Sequence, residues 1–259
     1  MGACTHGNET NVRTLYTLSY SPWSERARWA LEYHGVEFVE RHHVPMLGEP
    51  FLRLWTRRAR GVVTVPLLVD GDLVLGDSYL IARWADSNSR SGRETLFPEA
   101  AQGTILTWNE RAGIALQSAR ALVIAALGGD EGALLESVPR ALRALPGARA
   151  TARLGLAHFR RKYALDEKTE SAHLEALELA VEQLREDLGA RKYLVGNRFT
   201  YADILGATLL QAVVPVADEF LRLGPATRRA WTRSDLAERS RDLLEWRDQI
   251  YRAFRNTQS

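Results

Sequence analysis

Two kinds of hydrophobic pattern follow each other along this chain of 259 residues, and their order restricts the possible folds more than any other feature. Residues 13–98 alternate short strand and helix patterns in the order β-α-β-α-β-β-α. From about residue 102 onward the strand patterns stop, and apolar residues recur at helical spacing. A mixed segment followed by an all-helical one predicts two domains. We expect a flexible tail at 1–12, a mixed α/β domain at 13–98 and an all-helical domain at 99–259.

The mixed segment carries clear signals for where its elements begin and end. Alternation predicts a first strand over Arg13 to Tyr20, and Ser21 before a proline is typical of a helix start. Later elements are predicted as strands at Val36–His42, Val62–Val69 and Leu73–Leu75, a short helix within Glu49–Arg57, a hairpin turn at Asp70-Gly71 and a helix at Ser78–Ser87.

The helical segment is predicted to contain several amphipathic or apolar helices. One covers Ile105 to Leu127, and a second carries leucines at helical spacing up to Leu188. Thr200 and Asp203 have the spacing of a capping box, and we expect both to be structural. They open the apolar stretch Ile204–Val214, and a last helix is predicted at Leu236–Phe254.

Composition excludes several classes of protein. Apolar residues make up 46% and charged residues 25% of the chain, as in ordinary soluble proteins. No apolar run approaches the ~18–20 residues of a membrane span, and the N-terminus lacks the apolar region of a signal peptide. The single cysteine, Cys4, cannot form an internal disulfide or a cysteine-built zinc site. With a formal charge of +2 there is no reason to expect nucleic acid, and a cytoplasmic protein is expected.

Two segments, the N-terminal tail and a basic stretch, can each be interpreted either as a functional feature or as ordinary solvent-exposed chain. Gly2 and Cys4 suggest lipid anchoring, but His6 stands where the myristoylation pattern has Ser or Thr, so a polar leader is favoured. Residues 137–165 contain seven basic and no acidic residues, and an acidic segment follows directly. An anion-binding helix is one possibility. We favour two neighbouring helices whose charged faces complement each other or are solvated.

Three short motifs are candidates for chemistry. The turn Tyr20 to Ser24 places hydroxyls at a helix N-terminus, which favours anions and lowers the pKa of a thiol, although taken alone the motif favours a plain N-cap and turn. Pro66 interrupts a predicted strand, so this is either an edge strand able to pair with a peptide or an unusual peptide bond. Asp77 and Ser78 open a helix, either as caps or with a carboxylate ligand. Adjacent His42 and His43 should point to opposite faces, so no shared metal is expected.

In this order the motifs resemble the soluble glutathione transferases. The resemblance spans roughly residues 13–254 and is carried by YSPWSERAR after the first strand, TVP before the hairpin, GDS after it, and KYLVGNRFTYADI in the second half. It implies a thioredoxin-like N-terminal domain plus an all-α C-terminal domain. Since this fold also serves isomerases, lyases and non-catalytic proteins, the resemblance is stronger for fold than for activity.

The resemblance also implies roles for individual residues. Val65, before a cis proline at Pro66, would offer its backbone to the cysteinyl part of glutathione. Asp77 and Ser78 would hold the γ-glutamyl end, with Asp shorter than the family's more frequent Glu. A basic side chain usually meets the glycyl carboxylate, and three residues are candidates for this: His43, Arg53 and Arg57.

The hydroxyl that activates the sulfur is left open between two positions. Ser21 stands where serine-type and cysteine-type members carry their residue, and Tyr20 where tyrosine-type members carry theirs, with Ser24 as a third possibility. The implied function is attack of a glutathione thiolate on a small hydrophobic electrophile, in a pocket roofed by Trp108 to Leu122. Glutathione is then the co-substrate, no metal takes part, and a homodimer is expected. The alternatives are a glutathione-dependent isomerase, lyase or dehalogenase, or a non-catalytic binding or scaffold protein.

Overall fold

One mixed sheet of four strands organises the first part of the structure. The computed structural model describes residues 12–45, 47–57, 60–139, 143–163 and 170–255. The strands are β1 (Thr14–Thr17), β2 (Val39–His42), β3 (Leu67–Asp70) and β4 (Leu73–Leu75), in the spatial order β2-β1-β3-β4. β1 is parallel to β2 and antiparallel to β3, and β3 is antiparallel to β4. This confirms the predicted thioredoxin-like arrangement.

Helices account for the remaining regular structure. Three belong to the mixed part: α1 (Pro22–Tyr33), α2 (Glu49–Thr56) and α3 (Ser78–Ser87). Those that follow in the described residues are α4 (Gln102–Gly129), α5 (Glu131–Glu136), α6 (Ala148–Lys162), α7 (Glu170–Leu188), α8 (Tyr201–Leu209), α9 (Pro225–Trp231), α10 (Ser234–Arg239) and α11 (Arg241–Phe254). The expectation of a large all-helical second part is therefore confirmed.

Three of the four strands, β1, β2 and β3, are shorter than the sequence predicts. β1 ends at Thr17 because the chain turns immediately, with the Ser21 N–H donating to the Leu18 carbonyl at 3.0 Å. β3 begins only at Leu67, because Pro66 has no N–H to contribute to a ladder. The edge-strand interpretation of Pro66 was wrong: β3 pairs on both sides, and Pro66 lies just before it with a cis bond to Val65.

Two helix predictions also need correction. The single helix expected over Leu236–Phe254 is two helices, α10 and α11, separated at Ser240. The apolar stretch after Thr200 is helical only to Leu209 and continues as a 3-10 turn to Ala212. In both places the apolar pattern identified the buried face but not the break in the helix.

The two parts of the chain share a buried contact surface. The Arg26 Nε on α1 donates to the Thr208 hydroxyl on α8 at 2.8 Å, and both side chains are buried. The Trp29 Nε1 donates to the Phe254 carbonyl at 3.0 Å. Helix α1 thus contacts both the sheet domain's own helix α3 and the helical part. The middle of α1 is consequently held by both halves of the molecule.

Helix α4 lies in the interior of the helical part. Residues Glu99–Gly129 are long and apolar enough to cross a membrane by length and composition, which is weak evidence because core helices pass the same test. Trp108, Ile105 and Leu122 on this helix are buried, and α4 packs against α7 and α8. These contacts account for the buried apolar side chains of α4, whereas Leu106 and Ile114 on the same helix are exposed.

The basic stretch makes its ion pairs with helices other than the one that follows it. Arg149 and Arg153 lie 3.6 Å and 3.5 Å from Glu131 on α5. Lys162 lies 2.6 Å from Glu49 at the start of α2. Among the described residues these partners lie on α5 and α2 rather than on α7, and Arg160 and Arg161 are exposed, which agrees with the solvated alternative of the expectation. Arg140 and residues 164–165 lie outside the described residues, as do Gly2, Cys4 and His6.

Candidate functional site

Strand register brings the three sequence motifs to one end of the sheet. Tyr16 pairs with Leu67 in the antiparallel pair, so the chain leaving β1 toward Ser21 runs beside the chain entering β3. Leu68 pairs with Leu75, so the chain leaving β4 reaches the same end. The β1–α1 turn, Val65-Pro66 and the start of α3 therefore converge, although they are far apart in sequence.

Ser21 is the N-cap of α1, as predicted. It is half-buried, and its Oγ accepts from the Ser24 N–H at 3.4 Å, a long and weak bond that leaves the hydroxyl proton available to donate. Ser24 differs: it is fully buried, and its Oγ accepts from the Leu18 N–H at 3.1 Å. Ser24 therefore has a structural role. The Ser21 hydroxyl lies at the N-terminus of α1, which is the positive end of the helix dipole.

Tyr20 lies beside Ser21 in an aromatic environment. Its ring meets Trp231 edge-on with 5.9 Å between centroids. Burial and the nearby phenol of Tyr163 raise the pKa of Tyr20 to about 12. The Tyr20 hydroxyl consequently stays protonated at neutral pH and is a weaker acid than an ordinary phenol.

The Val65-Pro66 segment presents unpaired backbone. The bond is cis, Pro66 is buried, and Val65 is half-buried. No hydrogen bond joins the backbone of Val65 to another residue in the described part of the chain. Buried or half-buried peptide groups normally have partners. The free N–H and C=O of Val65 are suited to an extended peptide ligand.

Asp77 and Ser78 form the start of α3. One carboxylate oxygen of Asp77 caps the helix, accepting from the N–H groups of Tyr79 and Leu80 at 2.9 Å and 3.0 Å. Asp77 is exposed and Ser78 is buried. The capping interpretation is therefore confirmed, and the second carboxylate oxygen of Asp77 makes no hydrogen bond to a described residue.

A buried arginine lies near Asp77 and was not singled out from the sequence. Arg26 is 1% exposed, and its Nη2 has no hydrogen-bond partner within the described ranges. Burial lowers its pKa to about 10, against the opposing influence of Tyr201, Tyr251 and Asp77. The side chain stays charged at neutral pH and supplies a fixed positive charge near Asp77. Its position in an amphipathic helix gave no sign of its direction.

The three basic candidates differ in their surroundings. His43 donates its backbone N–H to Thr17 at 2.7 Å, and burial together with Lys162 lowers the pKa of its ring, so it is neutral at pH 7. Arg53 donates through Nη2 to the Gly61 carbonyl at 3.0 Å, while its buried Nη1 has no partner among the residues described. Arg57 is exposed at the left-handed end of α2, with φ of 53°. Arg53 alone combines a permanent charge with a buried unpartnered donor.

The histidine pair shares no ligand position. His42 ends β2 and is exposed, whereas His43 beyond it is buried. Across the described ranges, no group of three His, Cys, Asp or Glu side chains could hold a metal ion.

A thioredoxin-like sheet domain joined to a helical domain, with its cleft at the N-terminus of α1, defines a class of two-domain proteins. Residues 20–88 match the family model described as the N-terminal domain of glutathione S-transferase, and residues 148–232 match the C-terminal domain model. Together these matches cover more than half of the chain. The chain belongs to the soluble glutathione S-transferase family.

Solved structures of this family share the fold over nearly the whole chain. A glutathione S-transferase from Ceriporiopsis subvermispora, in complex with glutathione, has a TM-score of 0.61 at 14% identity, covering 96% of this chain and 100% of that chain. A glutathione transferase from Phanerochaete chrysosporium has a TM-score of 0.60 at 18% identity, covering 97% and 100%. One from Methylobacillus flagellatus, with glutathione bound, has a TM-score of 0.58 at 17% identity, covering 92% and 94%. No curated protein sequence matches the chain significantly.

Proposed function

We propose that this protein is a glutathione transferase that binds glutathione at the convergent end of the sheet and activates its thiol as a thiolate. The carrying observation is that strand register brings the unpaired backbone of Val65, the start of α3 and the Ser21 turn to one place. Relatives of the same fold crystallised with glutathione support this ligand.

Each part of glutathione has a suitable partner in this proposal. The cysteinyl peptide group pairs with the free N–H and C=O of Val65. The γ-glutamyl ammonium meets Asp77 through the carboxylate oxygen not used in capping, and its carboxylate meets Ser78 at the α3 N-terminus. Arg53 is proposed for the glycyl carboxylate because it carries a buried donor without a partner.

The energy needed to ionise the thiol is within reach of one hydroxyl and one helix. A free thiol of pKa ~8.5 is only a few per cent ionised at pH 7. Lowering the pKa by ~2 units requires ~2.7 kcal/mol of thiolate stabilisation. A hydrogen bond to a charged acceptor contributes ~1.5–3 kcal/mol, and a helix N-terminus ~0.3–1 kcal/mol.

Ser21 is the better-supported donor to the sulfur. Its hydroxyl stands at the α1 N-terminus, so hydroxyl and helix dipole act on the same atom. Tyr20 precedes the N-cap and so lies outside the first turn of α1, and its ring is engaged with Trp231. We therefore assign thiolate stabilisation to Ser21. The thiolate then attacks an electrophile in the space between α1 and α4.

A cytoplasmic homodimer remains our prediction for the assembly and location of the protein. Large apolar side chains are exposed on α2 and α3, including Phe51, Leu54 and Leu80. An apolar surface of this kind is typical of a subunit contact. Sedimentation would measure the mass of the assembly directly.

The binding site is tested by calorimetric titration with glutathione. The double variant Asp77→Asn with Ser78→Ala removes the charge and the hydroxyl while Asn keeps a capping oxygen. We expect saturable binding by the parent protein and a loss of at least tenfold in affinity in the variant. The matched control, Asp72→Asn with Ser87→Ala, changes the same residue types in the hairpin turn and at the far end of α3. Unchanged affinity in the first variant would remove the proposed site.

A further inference from the structure

Beside the proposed thiol site lies an arginine whose charge is not neutralised by any described carboxylate. Arg120 projects from α4, and its guanidinium carbon lies 4.5 Å from the centroid of Trp23 and 3.9 Å from that of Tyr163. Trp23 belongs to the first turn of α1, directly after Ser21 and Pro22. Arg120 therefore stands where α4 faces the start of α1.

The aromatic contacts of Arg120 leave its hydrogen-bonding capacity unused. The guanidinium carbon lies over both rings, and the guanidinium has five N–H donors. Within the described ranges these donors make no hydrogen bond, and no carboxylate lies within ion-pair distance. Burial lowers the pKa of Arg120, and the only opposing influence is the Tyr163 phenol. The two cation–π contacts offset part of the cost of burying this charge, and the N–H donors remain free to bind an anion.

A second unused donor occurs at the same cleft. Trp231 contacts Tyr20 edge-on, and its Nε1 is buried without a hydrogen-bond partner in the described part of the chain. The Tyr20 hydroxyl is protonated. The surroundings of the start of α1 thus include aromatic rings and a buried N–H donor without a described partner.

A second arginine on α4, Arg111, provides a comparison because it has an aromatic contact and an ion pair. Arg111 lies over Trp108 at 5.6 Å, and its Nη1 lies 3.1 Å from Asp187. Its aromatic contact therefore comes with a carboxylate partner. Arg120 has two aromatic contacts and no described carboxylate, which separates it from an arginine that only ties helices together.

We propose that Arg120 binds an anionic group of the electrophile, so that the preferred substrates are planar or aromatic electrophiles carrying a carboxylate or a similar anion. The anion accepts hydrogen bonds in the plane of the guanidinium, and the aromatic part of the substrate packs beside the Trp23 and Tyr163 rings, because Arg120 already covers the ring faces turned toward it. This inference rests on the proposed function, because it specifies the substrate class of the same cleft.

The reaction with a suitable probe is a simple substitution. The glutathione thiolate attacks the ring carbon that bears chlorine in chlorodinitrobenzoate, a carbon–sulfur bond forms, and chloride leaves with the electron pair of the broken bond. Chlorodinitrobenzamide reacts in the same way but is neutral. Comparing enzyme variants for each probe separately removes the difference in intrinsic reactivity between the two.

The test uses Arg120→Gln, with Arg111→Gln as the matched control on the same helix. Arg120→Gln removes the hydrogen bonds between the guanidinium and the carboxylate of the probe. We therefore expect kcat/KM for the benzoate to fall about tenfold or more. We expect a change of less than about threefold for the benzamide and for the KM of glutathione, and the control should affect neither probe selectively. Equal losses for both probes, or no loss for the benzoate, would overturn the proposal.

A binding measurement separates this inference from the proposed catalysis. Dinitrobenzoate, which lacks a leaving group, is titrated against the intact protein by tryptophan fluorescence, with dinitrobenzamide as the neutral partner. Tighter binding of the anion that is lost in Arg120→Gln supports the site even if no transferase activity is found. If Arg120→Gln does not fold, Arg120→Lys keeps the charge but loses the planar donors, and a selective weakening of dinitrobenzoate is expected. No preference for the anion in the parent protein would overturn the site while leaving glutathione binding untouched.

Discussion

The buried carboxylate of Asp203 provides a sharp test of what stabilises the second domain. Both of its oxygens accept backbone N–H groups at 2.7 Å, one from Leu194 and the other from Thr200, and the Thr200 hydroxyl adds a third bond at 3.0 Å. Burial raises the pKa of Asp203 to about 6, so the group is ionised at pH 7 and acts only as an acceptor.

Asp203→Asn turns one of these acceptors into a donor with little change of shape. One backbone N–H then faces an NH₂ group in a fully buried place, which costs ~1–3 kcal/mol of the free energy of unfolding. Urea denaturation at pH 7 measures this loss, and Asp235→Asn at the exposed start of α10 is the matched control. Glutathione affinity of the folded variant should stay within about twofold. A variant as stable as the parent, or a stable one that no longer binds glutathione, would refute the structural role.

Two further predictions concern charged groups at the contact between the two parts. Burial outweighs the neighbouring Arg255 and raises the pKa of Glu32 from 4.5 to about 7, so the folded state binds a proton that the unfolded state releases. The contribution of Glu32 to the free energy of unfolding therefore falls as pH rises from 4.5 to about 7, and Glu32→Gln should flatten that part of the urea-denaturation profile. An unaltered profile would contradict the assignment. Glu49→Gln removes the partner of Lys162 and His158, and we expect a loss of about 1 kcal/mol that shrinks in high salt, measured by the same denaturation. A loss that is independent of salt would contradict an ionic cause.

Local signals in the sequence predicted some elements exactly and others only approximately. The helix at Ser78–Ser87 and the return strand at Leu73–Leu75 have their predicted bounds, because a capping residue and a hairpin turn are local features. The prediction extends β1 beyond its last paired residue and starts β3 before its first paired residue, because a strand is limited by its pairing. Pairing depends on residues that are distant in sequence, which apolar runs alone do not reveal.

Some residues of the candidate site could likewise be predicted from local sequence signals, and others could not. Ser21 was recognised as a cap from its own neighbours, and the structure has that cap. Arg26 and Arg120 were not recognised as site residues, because a charged residue in a helix is usually solvated and its direction depends on the tertiary packing. Their significance comes from contacts with Thr208 and with Trp23 and Tyr163, which only the folded chain brings together.

The central claim is that the Ser21 hydroxyl at the α1 N-terminus stabilises a glutathione thiolate. Ultraviolet absorbance of the thiolate, followed against pH with glutathione bound to the protein, measures the thiol pKa directly. We expect a value well below ~8.5 in the parent protein, a rise of about 1–2 units in Ser21→Ala, and little change in Tyr20→Phe. Glutathione affinity should change little in either variant, because the carboxylate contacts remain. A rise in Tyr20→Phe instead would transfer the role to that phenol, and no thiolate signal in the parent protein below pH ~8 would contradict thiol activation altogether.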